Sequence, residues 1–278
     1  MLDVRFFSVP SRLGAFMERA LVIDFTRSVG QSWQFLPTGC FGVTLLTGPA
    51  AHDHELDRAD DDGAFSGIAA QAMGTWCARP CLAFGISLTP LGVLHLPVHA
   101  HDFESAFAVS SEAMFGRARW QSLRSRVRDS PTVSGKMQVF MAWMEDLLMK
   151  GSILHGRASA LAEVAHLMRA PRPPTLLEAA ARVGVHRRQF ERDFRRYFGT
   201  SPKRYATIAR VQQVPQLSWQ GLGLAGIAAE LGFTDQAHMS HVVRDVTGMS
   251  PSSLLSLAAH SPIVRATRPY AGGRITHF

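Results

Sequence analysis

The sequence predicts an α+β chain. A β-rich N-terminal domain with trailing helices precedes an all-α domain of two helix-turn-helix units joined by a linker helix. Short apolar runs broken by Gly and Pro extend to about residue 110, and helical periodicity replaces them after Glu112. Near the C-terminus, a glycine turn, a helix and a G-x-S-P ending occur twice, 48 to 49 residues apart.

Taken in order, Pro10 to Met17 reads as a short helix and Leu21 to Thr26 as a strand. The Pro37-Thr38-Gly39 turn announces a strand at Phe41 to Thr47. HDHELDRADDDG, from His52, reads as an acidic loop ending in an Asp-Gly turn. Phe65 to Ala72, Leu82 to Leu88 and Leu91 to His95 are further strand candidates, and together these form a sheet or barrel-like body. Arg117 to Arg128 is a basic amphipathic helix. Val133 to Met149 is a helix whose Met, Phe, Trp and Leu stripe belongs to the core or to a dimer interface. Ala158 to Met168 is another helix, stopped by Pro171-Arg172-Pro173-Pro174. The first domain is thus expected over residues 1–150, the second over 157–260, and a mobile basic tail over 261–278.

The second domain opens with TLLEAAARVGVHRRQFERDFRRYF, from Thr175 to Phe198. A short apolar helix meets a break at Gly184-Val185. A second helix follows from His186, with Phe190, Phe194, Tyr197 and Phe198 as its buried stripe and five arginines on its other sides. IAAELGFTDQAHMSHVVRDVTGMSP restates the pattern: Gly232 answers Gly184, Met239 and Val243 answer Phe190 and Phe194, and one residue is inserted in the turn. Between the copies, Ser201 is an N-cap with Pro202 at the first helical position. The linker helix is expected to end or kink near Gln213–Val214, because Pro215 lacks a donor and clashes with the preceding turn.

These motifs resemble the AraC/XylS family of bacterial transcription regulators over roughly residues 157–257, through AARVGVHRRQFERDFRRYFGTSPKRY, the GF-x-DQ-x-H run and the two G-x-SP endings. LPTGCFGVTLLTG and LAFGISLTPLG are similar to the sensor domain of a less characterised branch. The resemblance implies a one-component regulator that binds double-stranded DNA and works with RNA polymerase, with an unknown small-molecule effector in its N-terminal domain. By position in the motif, Arg188, Glu191 and Arg192 face base edges in the first unit, and Gln236, His238 and His241 in the second. Glu191 either accepts from a cytosine amino group or holds Arg188 or Arg195, and His238 either packs or reads a base. His186, Arg187, Arg195, Arg196 and Arg244 are expected at phosphates, which position a protein without reading sequence. Where this chain has His241 the family more often has arginine, and Asp245 replaces a commonly basic residue, so the second helix is expected to contribute less.

The charge balance agrees with a polyanionic partner: 29 Lys+Arg against 22 Asp+Glu, a net charge of +7. A chain of 278 residues is long enough for two cores. Three cysteines (Cys40, Cys77, Cys81) are too few for a disulfide scaffold and point to a reducing cytoplasm. The N-terminus lacks the pattern of a secretory signal, and no stretch approaches the ~20 apolar residues that span a bilayer, so no membrane is expected.

His52, Asp53, His54 and Glu55, with His95, His99 and His101, are a metal set only if a barrel gathers them. Otherwise they are solvated loop residues, and no metal and no cofactor is expected. Cys77 and Cys81 are spaced unlike a zinc knuckle or a dithiol redox motif, and either sense redox or electrophiles beside Arg79 or are half-buried structural thiols. Trp33, Phe35, Phe41, Trp76 and Phe84 either line an effector pocket or pack the core. No Ser/His/Asp signature, P-loop or dinucleotide motif is present, and no enzyme is expected. The rival is a metal- or cysteine-dependent enzyme, or an alkylation or redox sensor, attached to a DNA-targeting module.

Overall fold

A computed structural model describes residues 3–35, 39–48, 63–68, 73–76, 79–96, 108–151 and 157–261. Its strands are β1 (Asp3–Phe7), β2 (Met17–Asp24), β3 (Ser32–Phe35), β4 (Phe41–Thr47), β5 (Gly63–Ser66), β6 (Met73–Trp76), β7 (Leu82–Leu88) and β8 (Ala108–Ser110). The helices α1 (Pro90–His95), α2 (Ser111–Phe115), α3 (Arg117–Asp129) and α4 (Val133–Lys150) accompany them. The C-terminal half is helical throughout: α5 (Arg157–Leu167), α6 (Leu176–Val183), α7 (Arg187–Phe198), α8 (Pro202–Trp219), α9 (Leu224–Glu230), α10 (Gln236–Thr247) and α11 (Pro251–His260).

Six strands form one antiparallel sheet in the order β1-β2-β7-β4-β5-β8, and β3 pairs with β6 in a second ladder. Alternation decides the faces. Phe41, Val43 and Leu45 of β4, and Phe84, Ile86 and Leu88 of β7, point to the main core. Leu46 and Ala83 face the other side, where they join a small cluster with Leu21, Ile23 and Phe25. The register of β2 against β7 shifts between Met17 and Arg19, leaving Glu18 as the extra residue of a β-bulge. Bulges re-aim a side chain, and this one places Glu18 at the seam with the C-terminal helices.

α3 and α4 cover the sheet. Trp120, Leu123 and Val127 from α3, with Met137, Phe140 and Met144 from α4, are buried to 1% exposure or less. The stripe read on α4 is therefore core. Thr132 caps α4, and the buried Lys136 ammonium donates to the Val127 and Arg128 carbonyls at 2.9 and 3.2 Å, capping the end of α3.

Several elements differ from the sequence expectation. Pro10 to Met17 is not a helix: three residues, Ser11–Leu13, make a 3-10 turn, and Met17 already pairs in β2. Leu91 to His95 is helical, because Thr89 accepts from the Gly92 N–H at 3.0 Å and Pro90 fills the first position. The strand expected at Phe65 to Ala72 runs from Gly63 to Ser66. α8 does not end at Gln213–Val214 but continues through Pro215 to Trp219. Pro215 is buried, and Ile208, Val211 and Val214 fill the second core around it, so packing outweighs the lost donor. The acidic loop from His52 to Asp62, the expected boundary at 152–156 and the tail from residue 262 lie outside the described residues.

The main core continues from the sheet and α3–α5 into α6, α7 and the start of α8, ending at Tyr205 and Ala206. A second core holds Ile208, Val211 and Val214 of α8 against α9, α10 and α11. One helix thus serves both cores with different faces.

Candidate nucleic-acid interface

α6 begins with a reciprocal cap: Thr175 accepts from the Glu178 N–H, and the Glu178 carboxylate accepts from the Thr175 N–H at 2.8 Å. It ends at Gly184, whose φ of 73° turns the chain in a conformation other residues rarely adopt. His186 is the N-cap of α7, and its side chain makes no capping bond, so the first amides of α7 are open to an acceptor. Phe190, Phe194 and Phe198 are buried, with Phe194 and Phe198 rings 4.7 Å apart.

Arg187, Arg188, Arg192, Arg195 and Arg196 are all exposed, the last four away from the phenylalanine stripe. Arg188, Arg192 and Arg195 recur at helical spacing along one stripe. Arg192 donates to the Gln189 side-chain oxygen Oε1, and Gln189 Nε2 in turn donates to the buried Asp193 carboxylate at 2.5 Å. This tether is not among the expected contacts, although its members sit three and four residues apart. Glu191 pairs with Arg187 at 2.8 Å rather than with Arg188 or Arg195, which corrects the expected partner and occupies an arginine assigned to phosphate. Arg196 lies 5.9 Å from the Tyr197 ring centre. Among the described residues, the His186, Arg188 and Arg195 side chains make no hydrogen bond or ion pair.

The second unit repeats this arrangement with different chemistry. Asp235, the counterpart of His186, caps α10 by accepting from the His238 N–H at 2.7 Å. Gln236, His238, His241 and Arg244 are exposed, while Met239 and Val243 are fully buried. The His238 ring stands edge-on to Phe233 at 5.6 Å, and its Nδ1 lies 3.3 Å from Thr234 Oγ1. It therefore packs and remains exposed at once. Asp245 forms an ion pair with Arg204 of α8, and the Arg210 guanidinium lies 4.6 Å from the Phe233 ring centre. Neither α8 arginine was singled out in the sequence.

A buried polar cluster joins the sheet to the segment between α5 and α6 that leads into the first unit. Glu18, at the β2 bulge, accepts two hydrogen bonds from Arg169, and the paired side chains are 9% and 11% exposed. Arg169 Nη2 lies 3.4 Å from Cys40 Sγ, and Cys40 donates to Glu18 at 3.3 Å. Burial and then the neighbouring Glu18 push the Cys40 thiol up to about 12, and burial likewise raises Tyr205. Burial works against the Arg169 charge, but the negative forms of Cys40, Tyr205 and Glu18 hold the guanidinium well above its usual value. At neutral pH Cys40 and Tyr205 are protonated, so Glu18 is the counter-ion. Above this cluster Phe41 of β4 packs 6.0 Å from Phe198, the last residue of α7. The partners Glu18 and Arg169 are 151 residues apart, beyond any local pattern.

Of the pocket candidates, Phe41 and Phe84 are core residues at 2% and 0% exposure. Trp33, Phe35 and Trp76 belong to the β3–β6 ladder, and their side chains lie outside the described residues. His95 packs edge-on against Phe16 at 4.7 Å, with its Nδ1 3.3 Å from the Leu148 carbonyl. His52, His54, His99, His101 and Cys77 lie outside the described residues, and Cys81 is half-buried. Among the described residues no helix is long and apolar enough to cross a membrane, and no group of His, Cys, Asp and Glu is arranged to hold a metal.

A family profile described as a helix-turn-helix domain matches residues 179–256. The HTH-type transcriptional regulator GbdR, from two strains of Pseudomonas aeruginosa, is 36% identical over 163 residues, 57% of this chain and 38% of that protein. The chain thus spans well under half the length of these curated relatives. A crystal structure of an AraC-type transcriptional regulator from Chromobacterium violaceum is 31% identical, covers 38% of this chain and 97% of its own, and superposes with a TM-score of 0.35. ToxT from Vibrio cholerae is similar over 94% of this chain and 98% of its own at 9% identity, with a TM-score of 0.45.

Proposed function

Through residues 179–256 this chain belongs to the AraC/XylS family, and from that premise we propose that it is a one-component regulator of transcription. In this reading α7 and α10 enter successive major grooves of double-stranded DNA, roughly one helical turn (~34 Å) apart. The observation that carries the proposal is the exposed arginine face of α7, opposite a phenylalanine face locked into the core. Arg188 and Arg192 donate to guanine O6 and N7, with Arg192 pre-aimed by Gln189. Glu191 accepts from a base only after leaving Arg187, which is then released to a phosphate. His186, Arg195, Arg196 and Arg244 meet phosphates, and Gln236, His238 and His241 meet bases. RNA polymerase is the further partner the family implies, and a homodimer is the assembly that sedimentation would reveal.

The switch we propose is a small-molecule effector held by the N-terminal domain, drawing on Trp33, Phe35, Phe41, Trp76 and Phe84. Phe41 supports the coupling: anything that moves its ring presses on Phe198 and hence on the end of α7. A ligand shifts this equilibrium only if it binds the two arrangements with different affinity. DNA affinity with and without a ligand found by thermal-shift screening tests the switch. Identical affinity and identical promoter output would remove it. The thiol-based rival is not supported at Cys40, whose buried sulfur is held in its unreactive protonated form.

A further inference from the structure

We propose that the linker helix aims the second reading helix through Arg204 and Arg210, making both of them positioning residues for base recognition by α10; the inference rests on the DNA-binding reading above. Taken alone, Asp245 is a negative charge on a helix that should approach phosphate. Its carboxylate is taken by Arg204, which sits in the first turn of α8, 41 residues earlier. Arg204 is 27% and Asp245 59% exposed, so the pair bridges the rim of the contact between the two helices. Asp245 also lies in the second half of α10, away from the end that carries Gln236 and His238.

Arg210 acts at the other end. Its guanidinium lies over Phe233, and its Nε has no hydrogen-bond partner among the described residues, so the ring face is what holds it. Burial lowers the Arg210 pKa, consistent with a cation withdrawn from water and from phosphate. Phe233 meets the His238 ring edge-on, and His238 occupies the first turn of α10. Three side chains therefore run from α8 to a base-reading candidate. With Asp245 fixed to Arg204 at one end and His238 backed through Phe233 at the other, α10 is anchored at two points. A helix anchored at one would be free to pivot on its buried Met239 and Val243.

DNA selected from a random pool by the wild-type chain and by Asp245→Asn, Arg210→Met and the exchanged pair Arg204→Asp/Asp245→Arg tests the proposal, with helicity checked for each. Asp245→Asn and Arg210→Met are expected to lower base preference in the half-site read by α10 by about two- to five-fold. The half read by α7 should be unchanged, and the exchanged pair should regain the lost preference. If Arg210→Met does not fold, the surface pair carries the test. Tighter binding of Asp245→Asn to all DNA with unchanged preference would overturn the proposal, marking Asp245 as a plain repulsive charge. So would an exchanged pair that folds but regains nothing. A wild-type chain that prefers no base in either half would remove the DNA-binding reading, and the proposal with it.

Discussion

Replacing Glu18 by Gln leaves the Arg169 guanidinium without its counter-ion at a site where the two side chains are 9% and 11% exposed. Breaking a buried ion pair from one side costs about 3–5 kcal/mol, because a charge is left in a poor solvent. The slight exposure favours the lower end. At about 2–4 °C per kcal/mol for a chain near this size, the melting temperature should fall by roughly 10 °C. The double variant Glu18→Leu/Arg169→Met removes both charges and should recover most of that loss, as apolar replacements of buried pairs commonly do. Thermal denaturation of the wild type, Glu18→Leu, Arg169→Met and the double variant closes the cycle and isolates the coupling. A Glu18→Gln chain that melts with the wild type, or a double variant no more stable than the worse single, would refute the view that this pair fastens the sheet to the segment leading into the first helix-turn-helix unit.

The remaining predictions concern DNA and the thiols. Arg192→Ala should reduce discrimination between specific and random DNA, whereas Arg196→Ala should weaken both alike and flatten the salt dependence by about one unit; filter or fluorescence titrations at several salt concentrations separate the two. Gln189→Ala should mimic Arg192→Ala more weakly, since it loosens the tether and leaves the guanidinium in place. Native Cys40 should stay unalkylated at neutral pH and react once the chain is denatured, as read by mass change. Its folded pKa is raised from 9.0 to about 12, so its contribution is fully present below pH 9 and is lost as pH climbs toward 12. Stability should therefore fall across that window by up to about 1.4 kcal/mol per pH unit, less steeply in Cys40→Ala.

What was legible in the sequence was local. β4 and β7 were bounded correctly because Gly and Pro punctuate their ends and their apolar residues alternate. The reading units were legible because a glycine turn, a Ser-Pro start and an apolar stripe each carry their own short-range signal. β1 and β8, at the sheet edges, have little of the continuous apolar run that marks a central strand. Leu91 to His95 reads as a strand because it is apolar, although Thr89-Pro90 spells the helix start that α1 shows. At Pro215 the helix does not end, because a strong local preference is overruled by a core the local sequence does not reveal. Glu18 with Arg169, and Arg204 with Asp245, join residues far apart in the chain, so no spacing rule reaches them. Where spacing did apply, it gave Glu191 the right distance and the wrong arginine.

The most direct test of the central claim is selection of bound DNA from a random pool by the wild-type chain, Arg192→Ala and Gln236→Ala. Two blocks of preferred bases should emerge, centred about one turn (~10 base pairs) apart, with Arg192→Ala flattening one block and Gln236→Ala the other. A single block, or the same loss in both blocks from either substitution, would contradict a duplicated reading head.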